Sequence, residues 1–87
     1  MAPLRILVVD TDRAALSLIN ETLSRRGHEL RTAADGQTAL TLASRWDPNL
    51  VLLEPELPVM DGYQFVRLLR ARPGSPFLPV IFMAPRK

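Results

Sequence analysis

The sequence predicts an open α/β fold, in which parallel strands alternate with helices that cover both faces of one sheet. The first observation is three continuous apolar runs of strand length, at residues 6–9, 50–53 and 80–83. Strands that are covered on both faces are apolar throughout, so these runs indicate a parallel sheet. The second observation is helical spacing of apolar residues between the runs. The expected order is therefore βαβαβαβ, with right-handed helical crossovers.

The first strand is expected at residues 6–9, and the apolar residues of the helix that follows are Leu16, Ile19 and Leu23. Arg25 and Arg26 supply a cationic last turn for this helix, and Gly27 supplies its stop. Residues 28–33 mix polar and apolar side chains, which indicates an edge strand with one solvated side. His28, at its start, is expected to be exposed and not to bind a metal.

A second helix is expected to begin at Asp35-Gly36 and to end at Asp47-Pro48, because the residue before a proline disfavours helical geometry. Its apolar stripe consists of Ala39, Leu42, Ala43 and Trp46. The second apolar run, residues 50–53, is expected to form the third strand and to be buried on both faces.

A third helix is expected to follow Asp61-Gly62, where the aspartate caps the helix, and to end at Pro73-Gly74. Its inward side chains are expected to be Phe65, Val66, Leu68 and Leu69, and its outward ones Arg67, Arg70 and Arg72. The last strand, residues 80–83, completes the set of elements.

Length and composition limit the function. The 87 residues leave room for one domain, expected to span residues 1–87. Cysteine is absent, which excludes a disulfide framework and thiol catalysis. No apolar stretch approaches the roughly 20 residues of a membrane span, so we expect a cytoplasmic protein with no membrane partner. The net charge is only +2 and the basic residues are scattered, so no nucleic-acid partner is expected.

Polar residues follow the predicted strands at the edge where ligands bind in open α/β sheets. Asp10, Thr11 and Asp12 follow the first strand, Glu54 the third and Ala84 the fourth. No nucleophile and base pair can be assembled from these motifs, so the chain is not expected to be an enzyme.

Four motifs in this order and spacing resemble the landmarks of response-regulator receiver domains of two-component signalling. They are Ile6-Leu7-Val8-Val9-Asp10, Leu50-Val51-Leu52-Leu53-Glu54, Leu57-Pro58 with Met60-Asp61-Gly62, and Pro79-Val80-Ile81. The similarity runs through all 87 residues and implies a flavodoxin-like receiver topology. It also implies a protein partner, either a histidine kinase or a downstream regulator.

In that family an aspartate after the third strand accepts a phosphoryl group with the help of Mg²⁺, which neutralises charge on the transferring group. The equivalent position here is Glu54, because Pro58 follows four residues later and Asp61-Gly62 seven and eight residues later. The added methylene displaces the carboxylate, so we expect no phosphorylation. The glutamate either mimics a phosphorylated state or is a solvated carboxylate without consequence.

Two further positions depart from the family pattern. Its acidic pair is reduced to Asp10 with Thr11, and Asp12 is displaced so that helix capping is its expected role. A weak Mg²⁺ site at Asp10, Glu54 and the backbone carbonyl of Glu56 is the alternative to capping and solvated charge. Ala84 stands where the family has a serine or threonine that senses the phosphoryl group.

The 87 residues also end before the family's fourth helix, fifth strand and fifth helix, so the resemblance implies an incomplete receiver without the family's lysine. The last strand should then be an exposed edge. Three functions follow as hypotheses: a pseudo-receiver that acts by protein contact, a phosphoacceptor with an altered site in a phosphorelay, and a self-assembly element that forms homodimers.

Overall fold

The computed structural model describes residues 2–73 and 77–83 and contains one four-stranded sheet with three helices. The elements are β1 (Arg5–Val9), α1 (Arg13–Ser24), β2 (Glu29–Ala33), α2 (Gly36–Trp46), β3 (Leu50–Leu53), α3 (Gly62–Arg70) and β4 (Val80–Phe82). The strands lie in the order β2-β1-β3-β4 and every pair is parallel. The predicted βαβαβαβ order is confirmed, with β2 and β4 at the edges of the sheet.

The main core lies between the sheet and the pair α2 and α3. Alternate residues of the central strands enter it, as the period of two along a strand requires. They are Leu7, Val9, Val51 and Leu53, and they pack with Ala39, Ala43, Phe65 and Leu69 of the helices. By contrast, α1 contains no fully buried residue.

Each helix begins behind an aspartate whose side chain accepts backbone N–H groups of the first turn, as the sequence predicts. Asp12 caps α1, Asp35 caps α2 and Asp61 caps α3. The backbone N–H and the hydroxyl of Thr38 donate to Asp35 and lower the pKa of that carboxyl below its ordinary value. The three caps orient the helix starts at the edge of the sheet where β1 and β3 end.

Five predicted details are wrong. Helix α3 ends at Arg70, with Ala71 as its C-cap, and not at Pro73-Gly74. Helix α1 ends at Ser24, so Arg25 is its C-cap and not part of its last turn. Leu68 is 42% exposed instead of inward, because it lies on the side of α3 away from the sheet. Arg72 is partly buried instead of outward. His28 is half-buried, and its Nδ1 accepts the Leu4 backbone N–H at 3.0 Å, because Leu4 precedes β1 and β1 pairs in parallel with β2.

Three helices lie in the part of the chain that the structure describes. None of them is long and apolar enough to cross a membrane.

Candidate functional site

The strand order reverses between β1 and β3, and two carboxylates meet at that point. Val9 pairs with Leu53 at the ends of the two strands, so Asp10 and Glu54 follow on neighbouring strands. The Glu54 backbone N–H donates to the Val9 carbonyl at 2.9 Å, and the Asp10 N–H donates to the Ala33 carbonyl at 3.1 Å. Asp10 is 0% exposed and Glu54 is 8% exposed. The structure therefore brings these two predicted site residues together in a buried position.

The turn after β1 is organised by aspartate side chains. Asp10 Oδ1 accepts the Asp12 backbone N–H at 2.9 Å, and Asp12 Oδ1 in turn accepts the N–H groups of Ala14 at 2.9 Å and Ala15 at 3.2 Å. Thr11, between them, is exposed. The expected capping role of Asp12 is confirmed, and Asp10 fixes the turn that leads into that cap.

Glu54 bonds to its own loop. Its Oε1 accepts the Glu56 backbone N–H at 3.0 Å, across Pro55. A hydrogen bond from a backbone N–H fixes a buried carboxylate side chain in one position. The carboxylate at the end of β3 is thus held against the β3–α3 loop, residues 54–61.

The metal hypothesis concerns the same groups. Within residues 2–73 and 77–83, no group of three His, Cys, Asp or Glu side chains is placed to hold a metal ion. Asp10 and Glu54 are neighbours, but the carboxylate of each already accepts a backbone N–H. Glu56 contacts Glu54 through its backbone N–H, whereas the predicted metal ligand is its carbonyl oxygen. Mg²⁺ is usually held by one or two carboxylates with several waters. The weak site at Asp10, Glu54 and the Glu56 carbonyl therefore stays a prediction.

The start of α3 closes the site. Asp61 Oδ1 accepts the Gln64 N–H at 2.8 Å, and the Gly62 N–H donates to the Pro55 carbonyl at 2.9 Å. Gly62 is buried so close to the loop that a Cβ there would lie 2.9 Å from Pro55 Cα and 3.2 Å from the Glu54 carbonyl oxygen. Gly62 was predicted as part of a helix start, and the structure adds that the loop can approach only a residue without a Cβ.

An aromatic pair that sequence reasoning missed lies beside this closure. The Tyr63 ring stacks on Phe82 of β4 with centroids 4.8 Å apart. The contact joins a residue of α3 to a residue of β4, so no local sequence motif predicts it.

Ala84, the predicted counterpart of the family's serine or threonine, lies outside the described residues. The last described bond of β4 is from the Met83 N–H to the Leu53 carbonyl, at 2.8 Å.

The β3–α3 loop contains a tight turn with strained backbone. The Met60 N–H donates to the Pro58 carbonyl at 2.6 Å, and Val59 between them has φ 67°. This is a γ-turn with positive φ, a rare and strained conformation, and a β-branched residue there is an outlier. The Val59 side chain is fully exposed, so no buried contact offsets the strain.

Replacing Val59 with glycine is expected to raise the free energy of unfolding by about 1 kcal/mol. A left-handed conformation costs an L-residue about 1–2 kcal/mol, and glycine removes that cost while it loses part of the gain through its larger entropy in the unfolded chain. Urea denaturation measures the change. Val59→Ala is the control, because alanine keeps the Cβ and should recover less than glycine. A glycine variant that is less stable than the parent would show that the backbone at Val59 is not strained.

Comparison with known proteins gives a consistent set of matches. The family model described as the response regulator receiver domain matches residues 6–87. The response regulator PleD of Caulobacter vibrioides is 39% identical over 79 residues, which are 91% of this chain and 17% of PleD. This chain therefore spans less than a fifth of that relative.

Solved structures are similar over nearly the whole chain. The N-terminal domain of a response regulator receiver protein from Methanoculleus marisnigri superposes with a TM-score of 0.91 at 27% identity, covering 98% of this chain and 69% of that one. The receiver domain of a sensor histidine kinase from Pseudomonas aeruginosa, solved with a magnesium ion in its active-site cleft, gives a TM-score of 0.88 at 30% identity and covers 95% and 68%. The predicted receiver topology is confirmed by these similarities.

Proposed function

Because this chain belongs to the response regulator receiver domain family, we propose that it is a pseudo-receiver, which signals by protein contact without accepting a phosphoryl group at the end of β3. Its partner is a histidine kinase or a downstream regulator of a two-component system, and its location is cytoplasmic. It is a signalling module and not an enzyme.

The observation that carries this proposal is the position of the Glu54 carboxylate. A methylene adds about 1.5 Å to the side chain, and a misplacement on the order of 1 Å can lower the rate of a positioned reaction about 100-fold. Glu54 Oε1 also accepts the Glu56 N–H, which holds the carboxylate on its own loop. A carboxylate fixed in this way is a poor nucleophile for an in-line transfer, which depends almost entirely on positioning.

The same residue places a carboxyl group permanently at the site. Glu54 is almost completely buried beside Asp10, where a fixed charge acts more strongly than in water. In a receiver regulated by phosphorylation, added charge at this place shifts a conformational equilibrium. We propose that the charge of Glu54 keeps the β3–α3 loop in one conformation. The surface that contacts the partner protein is then always presented.

The test follows the amide resonances of the protein while a small acyl phosphate is added with Mg²⁺. We expect the resonances of Asp10, Glu54 and Glu56 to be the same with Mg²⁺ alone and with Mg²⁺ plus the phosphate donor. The Mg²⁺-only sample separates weak metal binding from phosphoryl transfer. Resonances that shift only when the donor is present would support the competing hypothesis, a phosphoacceptor with an altered site in a phosphorelay.

A second candidate function, homodimerisation, is favoured by the β4 edge. Within the described residues β4 pairs only with β3, and its Ile81 and Phe82 side chains are 54% and 39% exposed. An exposed apolar edge strand is a template for pairing with another chain. Light scattering at concentrations of about tens of micromolar, typical of weak self-association, distinguishes the two states. A stable monomer would exclude this candidate and leave the pseudo-receiver proposal intact.

A further inference from the structure

A groove of about 330 Å³ runs between α2 and α3, on the helix side of the molecule and away from Glu54. It is lined by Gln37, Leu40, Thr41, Ser44, Leu68 and Arg72. The two leucines supply apolar contact area, and three uncharged polar side chains of α2 supply hydrogen-bonding groups. Neither the Asp10 and Glu54 pair nor the β4 edge contributes to it.

Arg72 is the unusual member of this groove. Its Nη1 is buried and, in the part of the chain that the structure describes, donates to no acceptor. A buried donor without a partner is costly, and the cost is larger for a charged group. A leucine or methionine at this place would fill the same space without that cost. An anion bound in the groove would supply an acceptor for this guanidinium.

The charge of the two helices selects the ligand. From Gly36 to Trp46 and from Gly62 to Pro73 the sequence contains four arginines, Arg45, Arg67, Arg70 and Arg72, and no aspartate or glutamate. One of them, Arg70, donates to the Leu78 carbonyl. Of the carboxylates that flank the two helices in sequence, Asp35 and Asp61 accept N–H groups at the N-caps, and Asp47 Oδ2 lies 3.8 Å from Arg5 Nη2. The α2–α3 surface is thus cationic and complementary to an acidic partner.

We propose that the α2–α3 groove is a docking site for an acidic protein segment, in which a carboxylate pairs with Arg72 and neighbouring apolar side chains pack on Leu40 and Leu68. The planar guanidinium matches a carboxylate through two parallel hydrogen bonds. A single-stranded nucleic acid is less suited, because the lining residues include no aromatic side chain on which a base could stack. This site does not depend on the state of Glu54, so it stands or falls separately from the pseudo-receiver proposal.

The test uses a blocked peptide of sequence Ala-Leu-Glu-Leu-Ala, titrated into the isotopically labelled chain. We expect the Arg72 Nε–H resonance and the amides of Thr41 and Leu68 to shift together and to saturate. The matched peptide with glutamine in place of glutamate should bind at least tenfold more weakly, because it lacks the charge-assisted pair. A phosphate-rich single-stranded oligonucleotide, used as a third probe, should not bind more tightly than the acidic peptide.

Two arginine variants complete the test. Arg72→Gln should weaken the binding of the acidic peptide about tenfold. Arg67→Gln, on α3 but outside the groove, should change it less than about twofold, as for an exposed charge. The amide spectrum of each variant shows that it is folded. Equal losses in both variants, equal binding of the two peptides, or tighter binding of the oligonucleotide would each overturn the proposal.

Discussion

Replacing Phe65 with alanine is expected to lower the free energy of unfolding by about 3–5 kcal/mol, the range for removing a buried phenylalanine. Phe65 is completely buried in the core between α3 and the sheet, together with Leu53 and Leu69. We expect the neighbouring side chains not to fill the space that the ring leaves, so a cavity should remain. Native domains are stable by only about 5–15 kcal/mol, and short chains lie at the lower end. We therefore expect the variant to be largely unfolded at moderate temperature.

Phe77→Ala is the matched control for this prediction. Phe77 is 91% exposed, so the same chemical change there should alter stability by no more than about 0.5 kcal/mol. Urea denaturation followed by far-ultraviolet circular dichroism measures both variants. Similar losses at the two positions would show that the core is not where the structure places it.

The second large effect is expected for Gly62→Ala, a loss of about 2–3 kcal/mol in the free energy of unfolding, which is the upper part of the usual range for overpacking. The added Cβ would lie 2.9 Å from Pro55 Cα and 3.2 Å from the Glu54 carbonyl oxygen. Both neighbours are backbone atoms, which cannot turn aside as a flexible side chain can. The start of α3 must then move away from the loop that carries Glu54, and the bond from the Gly62 N–H to the Pro55 carbonyl should weaken.

Gly36→Ala provides the comparison, since it also changes the first residue of a helix. There the nearest atom to the added Cβ is Met60 Sδ at 2.8 Å, at the far end of a flexible side chain that can change rotamer. Alanine is also the better helix former. The cost should be below about 1 kcal/mol. Chemical denaturation gives the stabilities, and the Glu56 amide resonance shows whether the loop moved only in the Gly62 variant. Equal costs would contradict the close approach at Gly62.

The order of the elements could be predicted from the sequence because each depends on local signals. Apolar runs predicted β1 and β3, and an aspartate followed by an apolar stripe predicted each helix start. These signals act within one turn or one strand, so the amino-acid sequence itself contains them. The fold class and the edge position of β2 followed from the same patterns, and the structure agrees with both.

The wrong details depend on contacts between elements. Leu68 belongs to an apolar stripe, yet it faces the groove, because Phe65 and Leu69 already fill the space beneath α3. Arg72 follows the last turn of α3, so helical spacing no longer predicts whether its side chain points inward or outward. His28 is partly covered because its ring receives the N–H of Leu4, which is 24 residues away. No local pattern contains this information.

The sequence predicts which residues lie at the candidate site, but not the hydrogen bonds that they make there. Equivalent places at the ends of parallel strands predict that Asp10 and Glu54 are neighbours, and the capping role of Asp12 follows from its place before α1. The bond from the Glu56 N–H to Glu54 does not follow, because it depends on the rotamer that the longer side chain adopts in the folded loop. That bond is the feature on which the proposed function rests.

Intact mass after incubation with a small acyl phosphate and Mg²⁺ is the most direct test of the pseudo-receiver proposal. We expect the parent chain to keep its original mass, because the Glu54 carboxylate is held on its own loop. Glu54→Asp, which shortens the side chain by one methylene, serves as the matched comparison for any acceptor activity that remains. A stable adduct of one phosphoryl group on the parent chain, lost in Glu54→Gln, would contradict the account.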